Sequence, residues 1–163
     1  MSRAKLASGI VRLRPFDRSL PMQLMRAREA VMTRFRPHLT ARGLTEQQWR
    51  IIRALNEIDS LEIVDLGARC CIHPASLSRM LPKLAKAGLI ARRTNAKDQR
   101  RIIVSLSARG RQLFAALAPQ SEEIYAGLAR DLGPARIAEL YRVLGEMIDA
   151  LAPNGRPGNT SGA

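Results

Sequence analysis

The sequence predicts a mainly α-helical protein that carries a small β-hairpin, and three observations lead to this fold class. Residues 73–87 repeat apolar side chains at helical spacing, and Gly88 follows as a helix terminator. Residues 89–94 and 101–106 are two short runs rich in apolar and β-branched residues, which predict two strands, and the polar residues 95–100 between them predict a hairpin tip. Residues 73–101 contain eight lysines or arginines but a single acid, Asp98. A short basic helix that leads into a basic hairpin indicates a winged helix-turn-helix, whose helix enters a major groove of DNA and whose hairpin reaches an adjacent minor groove.

The bulk composition restricts the class of protein. A chain of 163 residues with 46% hydrophobic residues can bury the core of one domain with extensions. The net charge of +13 favours polyanionic partners such as nucleic acid. No run of about 18 apolar residues is present, so we expect no membrane span. The basic N-terminus has apolar runs too short for a secretory signal, and we therefore expect a cytoplasmic protein.

The N-terminal quarter is predicted to contain one long helix. Residues 1–18 are basic and without a clear period, which indicates an extended arm. Ser19 is a plausible N-cap for a helix that runs to about Leu39. Pro37 lies near the end of this helix, and Gly43 ends the region.

The central residues 45–107 are predicted to form the DNA-binding region. The run Thr45–Gln48 has the pattern of a capping box, and the helix that it opens extends to about Ile58. A short strand at residues 61–63 and a short helix that ends near Cys70 precede the basic helix.

The C-terminal residues predict two further helices and a tail. Ser107 is the N-cap candidate for a helix over 108–132, which Pro119 should bend. A last helix over 134–151 has the cleanest helical period in the chain. The tail at 152–163 is rich in glycine and proline and is expected to be disordered.

Three segments resemble the MarR family of bacterial transcription regulators: GLTEQQWRIIRAL at 43–55, HPASLSRMLPKLAKAGLIARR at 73–93 and KDQRRIIVSLSARG at 97–110. The most specific motif is Asp98-x-Arg100 followed by Val104-x-Leu106-Ser107-x-x-Gly110. The resemblance covers roughly residues 18–151. Within the family, the run over residues 19–50 is similar to regulators of homoprotocatechuate degradation.

The resemblance implies a homodimer built by residues 19–44 and 108–151, with two DNA-binding lobes on a near-palindromic operator. It also implies a small effector, an aromatic or phenolic acid, in a pocket between the dimerisation helices and the lobe. Effector binding usually releases the DNA, so the implied function is regulation, most simply repression, of genes for aromatic-compound catabolism.

Twelve residues are candidates for DNA contact. Small residues at the start of the basic helix let its N-terminus approach phosphates or base edges, and an arginine suits insertion into a narrow minor groove. Asp98 is repelled by phosphate, so we expect it to orient an arginine. For the others, the alternative is an ordinary solvated surface. The candidates are Pro74, Ala75, Ser76, Ser78, Arg79 and Lys83 in the helix, and Asn95, Lys97, Asp98, Gln99, Arg100 and Arg101 in the hairpin.

Six residues are candidates for the effector site. An aromatic carboxylate suits an arginine fork on one side and an apolar slot on the other. Trp49 is alternatively a core residue, and His38 a residue that merely ends a helix. The candidates are Arg14, Arg28, Met32, His38, Trp49 and Arg53.

Other functions have weaker support in the sequence. The adjacent Cys70 and Cys71 suit neither an internal disulfide nor a zinc site, and we expect both to be small buried residues. An oxidation-sensing regulator that uses one of them is an alternative. No enzyme motif, metal site or cofactor site is evident. A non-specific architectural DNA-binding protein also fits the charge, and it would show steep salt dependence with little sequence preference.

Overall fold

The computed structural model describes residues 14–152. Most of the predicted N-terminal arm (residues 1–13) and of the predicted disordered tail (residues 153–163) lies outside the described residues. The contacts divide the chain between Arg34 and Phe35 into two compact units.

In the first unit, the chain enters a long helix through a short turn. The expectation of an extended arm up to residue 18 is wrong at its end, because Phe16–Arg18 form a 3-10 turn before helix α1 (Leu20–Thr40). The Asp17 carboxylate accepts from the Arg26 guanidinium at 2.6 Å, which ties this turn to the helix. The predicted N-cap is confirmed, since the Ser19 hydroxyl accepts from the backbone N–H of Met22 at 3.3 Å.

In the second unit, the predicted order of elements is confirmed. It contains the end of α1 and the elements α2 (Glu46–Glu57), β1 (Ser60–Glu62), α3 (Ile63–Cys70), α4 (Pro74–Lys86), β2 (Ile90–Thr94), β3 (Ile102–Leu106), α5 (Ala108–Leu132) and α6 (Pro134–Leu151).

The ends of the strands differ from the predictions by one residue. Leu89 was expected in a strand, but its N–H donates to the carbonyl of Leu84 at 3.0 Å and so completes the end of α4. The N–H of Arg101 donates to the carbonyl of Asp98 at 2.9 Å, which keeps Arg101 in the hairpin tip. These turn bonds use the backbone groups that a longer strand would need.

Local capping fixes where the helices begin. The Thr45 hydroxyl accepts from the backbone N–H of Gln48, whose side chain accepts from the N–H of Thr45, so the predicted capping box is present. The Ser107 hydroxyl accepts from the N–H of Gly110 at 2.9 Å at the start of α5. Both caps satisfy N–H groups that have no partner inside the helix.

The three strands form an antiparallel sheet with β3 in the centre and β1 and β2 on either side. Val104 of β3 lies opposite Leu61 of β1 and Arg92 of β2. Val104 is fully buried, and the sheet packs with the apolar faces of α2, α3 and α4. The largest fully buried side chains there are Ile51, Ile52, Leu55, Leu66, Leu77, Leu81 and Leu84.

Helix α6 differs from the other helices of this unit because none of its residues is buried. The helix has large apolar side chains that are exposed in the single chain, namely Leu140, Tyr141, Val143, Ile148 and Leu151. Within residues 14–152, no helix combines the length and the apolar character needed to cross a membrane.

Candidate nucleic-acid interface and effector site

Helix α4 presents the predicted recognition surface. His73 caps the helix, because its Nδ1 accepts from the N–H of Ala75 at 3.3 Å, and Pro74 occupies the first turn. The three leucines of the opposite face are buried, which leaves the polar face outward. Of the six candidates on this helix, five are exposed and Ser76 is half-buried.

Arg79 lies along the surface of α4 near its first turns. Its Nε donates to the carbonyl of Ala75 at 3.2 Å, and the residue is exposed. Because this bond uses only Nε, the terminal nitrogens of the exposed guanidinium remain available to a base edge or phosphate.

The hairpin tip is organised by side-chain-to-backbone bonds. The Asn95 amide oxygen accepts from the N–H of Lys97 at 2.9 Å, and Asp98 Oδ1 accepts from the N–H of Arg100 at 3.0 Å. Asp98 Oδ1 also accepts from Arg100 Nε at 3.2 Å. These bonds from Arg100 lower the pKa of the Asp98 carboxyl below its usual value. Asp98 therefore orients Arg100, as the sequence suggested, while the Arg100 side chain remains 92% exposed.

Glu62 of β1 supports the hairpin tip, a contact that sequence reasoning missed. Its carboxylate accepts from Asn95 Nδ2 at 3.2 Å and from Arg101 NH1 at 3.1 Å. The bond and the charge of Glu62 raise the pKa of Arg101. Asn95 and Arg101 are candidate DNA contacts, and in the free chain both also hold the hairpin tip against the sheet through Glu62. Only the pairing of β1 with β3 brings Glu62 to this place.

The six effector candidates fall in both units. In the first unit, Arg14 and Arg28 are exposed and Met32 is half-buried. In the second unit, His38 is 4% exposed and Trp49 is 5% exposed, while Arg53 is half-buried. His38 and Arg53 both contact the same stretch of α5, at Ser121 and Tyr125 respectively.

We use the name Arg53–Tyr125 cluster for Phe35, His38, Arg53, Ser121 and Tyr125. Arg53 NH1 donates to the Tyr125 hydroxyl at 2.8 Å, and the Tyr125 ring packs edge-on against Phe35 with centroids 5.0 Å apart. His38 Nε2 and the Ser121 hydroxyl lie 3.1 Å apart, whereas the buried His38 Nδ1 has no hydrogen-bond partner among the described residues. A buried ring nitrogen without a partner is costly unless a ligand or water completes it.

The aromatic wall near this cluster comes from two helices. Trp49 of α2 stacks on Phe114 of α5, with ring centroids 5.7 Å apart and planes at 22°. Trp49 is thus a buried core residue, one of the two alternatives that the sequence left open, and it is also half of an aromatic stack. Phe114 and Tyr125 lie beside the apolar stripe of α5, as the helical period of the sequence predicts. Their contacts with Trp49 and Arg53 of α2 depend on helix packing, which the sequence period does not reveal.

The two cysteines differ in environment, so the expectation that both are buried is wrong for Cys71. Cys70 is buried and Cys71 is exposed. Burial raises the pKa of the Cys70 thiol to about 11, which suppresses the reactive thiolate. Cys71 follows α3 with a left-handed φ of 49°, which places it in the turn before α4. An oxidation-sensing mechanism would therefore have to use Cys71.

Comparison with known proteins places this geometry in a family. A family model described as MarR family matches residues 44–102. The HTH-type transcriptional regulator FarR of Neisseria gonorrhoeae is 39% identical over 129 residues, which are 79% of this chain and 88% of FarR. The homoprotocatechuate degradative operon repressor of Escherichia coli is 38% identical over 130 residues, which are 80% of this chain and 88% of that protein.

Solved structures agree with these sequence relatives. The transcriptional regulator PA4135 has a TM-score of 0.78 at 38% identity and covers 82% of this chain and 96% of its own. NadR, solved in complex with 4-hydroxyphenylacetate, has a TM-score of 0.73 at 38% identity and covers 83% and 96%. The chain therefore belongs to the MarR family and is a DNA-binding transcriptional regulator rather than an enzyme.

Proposed function

We propose that this chain is a cytoplasmic homodimeric repressor of genes for aromatic-compound catabolism, released from a near-palindromic operator by an aromatic or phenolic acid. Two relatives support the effector class: one represses a homoprotocatechuate degradative operon, and another was solved with 4-hydroxyphenylacetate. The observation that carries the proposal is the Arg53–Tyr125 cluster, where a guanidinium bonded to a phenol hydroxyl accompanies a buried imidazole nitrogen without a partner in the described chain.

The DNA-binding part of the proposal rests on α4 and the hairpin. The exposed face of α4, from Pro74 to Lys83, enters the major groove, and Arg100 with Lys97 and Gln99 reaches the flanking minor groove. Asn95, Asp98 and Arg101 maintain the shape of the tip. In a dimer, the two recognition helices meet successive major grooves about 34–36 Å apart.

The dimer part of the proposal rests on the exposed apolar residues of α6. An isolated soluble domain rarely exposes a contiguous row of large apolar side chains, and a second copy of the chain covers such a row by symmetry. We assign residues 19–44 and 108–151 to dimerisation and residues 45–107 to DNA binding.

The effector part of the proposal assigns a role to each group of the cluster. The carboxylate of the acid accepts from Arg53, the ring packs against the Trp49–Phe114 pair, and His38 Nδ1 bonds a polar group of the ligand. Arg14, Arg28 and Met32 remain candidates from the sequence in the first unit. The acid releases DNA only if it binds the DNA-free arrangement of the dimer more tightly than the DNA-bound one.

An Arg53→Gln variant tests the effector site. Loss of a charge-assisted bond to the carboxylate should raise the Kd for 4-hydroxyphenylacetate by roughly 10- to 100-fold, measured by titration calorimetry. Operator binding without effector should be unchanged, because Arg53 is not on the DNA-facing surface. An Arg130→Gln variant removes an equal charge from an exposed position of α5 and should bind the acid normally. Equal affinity of the Arg53→Gln and wild-type proteins for the acid contradicts the assignment.

A further inference from the structure

A cavity lies in the second unit, apart from the Arg53–Tyr125 cluster. It is open to solvent on one side, has a volume of about 460 Å³, and is lined by the loop after α1, the start of α2, the last turn of α4 and the first half of α5. Its size falls within the range of small-molecule sites. We call it the α4–α5 cavity.

Three cations converge on this cavity. Arg42 comes from the loop after α1, Lys83 from α4 and Arg109 from α5, and no acidic residue is among the lining residues that the structure describes. Arg69, Arg101 and Arg142 each have a carboxylate partner, whereas none of these three cations has one within residues 14–152. Such a group of like charges is relieved when an anion binds among them.

The remaining lining residues favour an anion that has an apolar part. Leu44, Leu84 and Leu89 are buried residues that form an apolar floor. The amide groups of Gln48 and Gln112 lie at the same wall as the cations. A purely inorganic anion gains nothing from an apolar floor, whereas an organic carboxylate uses both the floor and the cations.

The α4–α5 cavity shares no lining residue with the Arg53–Tyr125 cluster. Gln48 lines the cavity, and the next residue, Trp49, belongs to the aromatic wall of the other site. Consecutive residues of a helix point about 100° apart, so α2 serves two different sites with two faces. Occupation of one site therefore does not require loss of the other.

We propose that the α4–α5 cavity is a second effector site, which binds a small organic carboxylate with an apolar body through Arg42, Lys83 and Arg109. The ligand touches both the recognition helix and α5. It neutralises Lys83 and connects the last turn of α4 with the first turns of α5. Any effect on DNA binding follows from its difference in affinity between the free and DNA-bound proteins.

The test isolates this cavity in full-length protein that carries Arg53→Gln, and it uses para-fluorobenzoate as the probe, followed by fluorine NMR. The Arg53→Gln protein should bind the probe saturably, and addition of Arg42→Gln and Arg109→Gln should raise the Kd at least tenfold, roughly the effect of losing one charge-assisted contact. Arg111→Gln in the same background is the matched control, since Arg111 is exposed on α5 and does not line the cavity. It should leave the Kd unchanged.

A second variant tests the apolar part of the cavity without a change of charge. Ala116 lines the cavity, so Ala116→Phe should fill it and abolish binding of the probe, with folding checked by thermal unfolding. The proposal is overturned by an Arg53→Gln protein without saturable binding, by equal Kd values with and without Arg42 and Arg109, or by inorganic phosphate that displaces the probe at equal concentration. None of these outcomes bears on effector binding by wild-type Arg53, so failure here and failure of the proposed effector site are distinguishable.

Discussion

Two carboxylates, Glu62 of β1 and Asp98 of the hairpin, organise the hairpin tip and leave the Arg100 side chain exposed. Glu62 and Asp98 both contact Arg101, at 3.1 Å and 3.4 Å. Asp98 bonds the backbone and Nε of Arg100, but the Arg100 side chain remains 92% exposed. A tip that is ordered before DNA arrives loses less conformational freedom on binding. The acidic residues of this basic region thus support DNA binding although phosphate repels them.

Replacement of Arg100 by Ala should weaken operator binding without unfolding the protein. The exposed guanidinium contributes little to the folded state, but in the groove it replaces a counterion. Because the dimer has two wings, the slope of log K against log salt should become shallower by about 1.8, which is about 0.9 for each wing. Fluorescence anisotropy over a salt series measures this slope. Arg130→Ala removes the same charge from the far part of α5 and should leave the slope unchanged, and an Arg100→Ala protein with the wild-type slope contradicts the minor-groove role.

The pH dependence of the tip follows from Asp98. Because bonds from Arg100 lower the pKa of this carboxyl in the folded protein, its stabilising effect is present above the ordinary carboxyl pKa. The effect is lost only as the pH falls through the lowered value. At neutral pH Asp98 is therefore ionised and accepts the bonds from Arg100.

The helices and their ends were predictable from the sequence because local chemistry determines them. The capping box at Thr45, the cap at Ser107 and the helical period of α6 each involve residues within one or two turns. The site contacts were less accessible to sequence reasoning. Glu62 meets Arg101 across 39 residues of sequence, and His38 meets Ser121 across 83. Such pairs depend on strand register and helix packing, which residue periods do not encode.

The start of α5 shows how closely two elements approach. Gly110 lies in the first turn of α5, and a Cβ added there would stand 2.1 Å from the backbone oxygen of Leu89. The Leu89 oxygen also accepts from the N–H of Ser107 at 3.1 Å, which fixes the chain between α4 and β2 against α5. Gly110, the glycine of the family motif, therefore lets the backbone of α5 approach the backbone of Leu89, the residue before β2.

Gly110→Ala should destabilise the protein by about 1–3 kcal/mol, because the added methyl group must displace backbone. The free energy of unfolding in urea measures the loss. Gly127→Ala in the same helix is the matched control: its Cβ would meet only Arg130 NH2 at 3.6 Å. There the better helix propensity of alanine should stabilise by up to about 1 kcal/mol. Equal stability of the Gly110→Ala and wild-type proteins would show that α5 is not tightly apposed to Leu89.

The charge and the apolar surface of the chain are separated along the sequence. Residues 73–101 contain eight basic residues and one acid, whereas residues 107–151 contain five basic residues and six acids. The C-terminal helices therefore gain little by approaching DNA. Their exposed residues Leu140, Tyr141 and Ile148 instead suit an apolar interface. We expect one lobe to bind an operator half-site weakly and a dimer to gain affinity, because its second lobe binds at a high effective concentration.

Introduction of lysine at Leu140 and Ile148 together should convert the protein to monomers. Both side chains are 48% exposed in the single chain, so the substitutions leave the core of one subunit intact and place charges only in the proposed interface. Sedimentation should give a mass near the 18.0 kDa of one chain. Operator affinity should fall by a factor on the order of 10² or more, because the two half-sites are no longer linked. Ala135 is exposed on the opposite face of α6, so an Ala135→Lys protein should remain a dimer with wild-type affinity. A double-lysine protein that still sediments as a dimer and binds the operator tightly would place the dimer interface away from this face of α6.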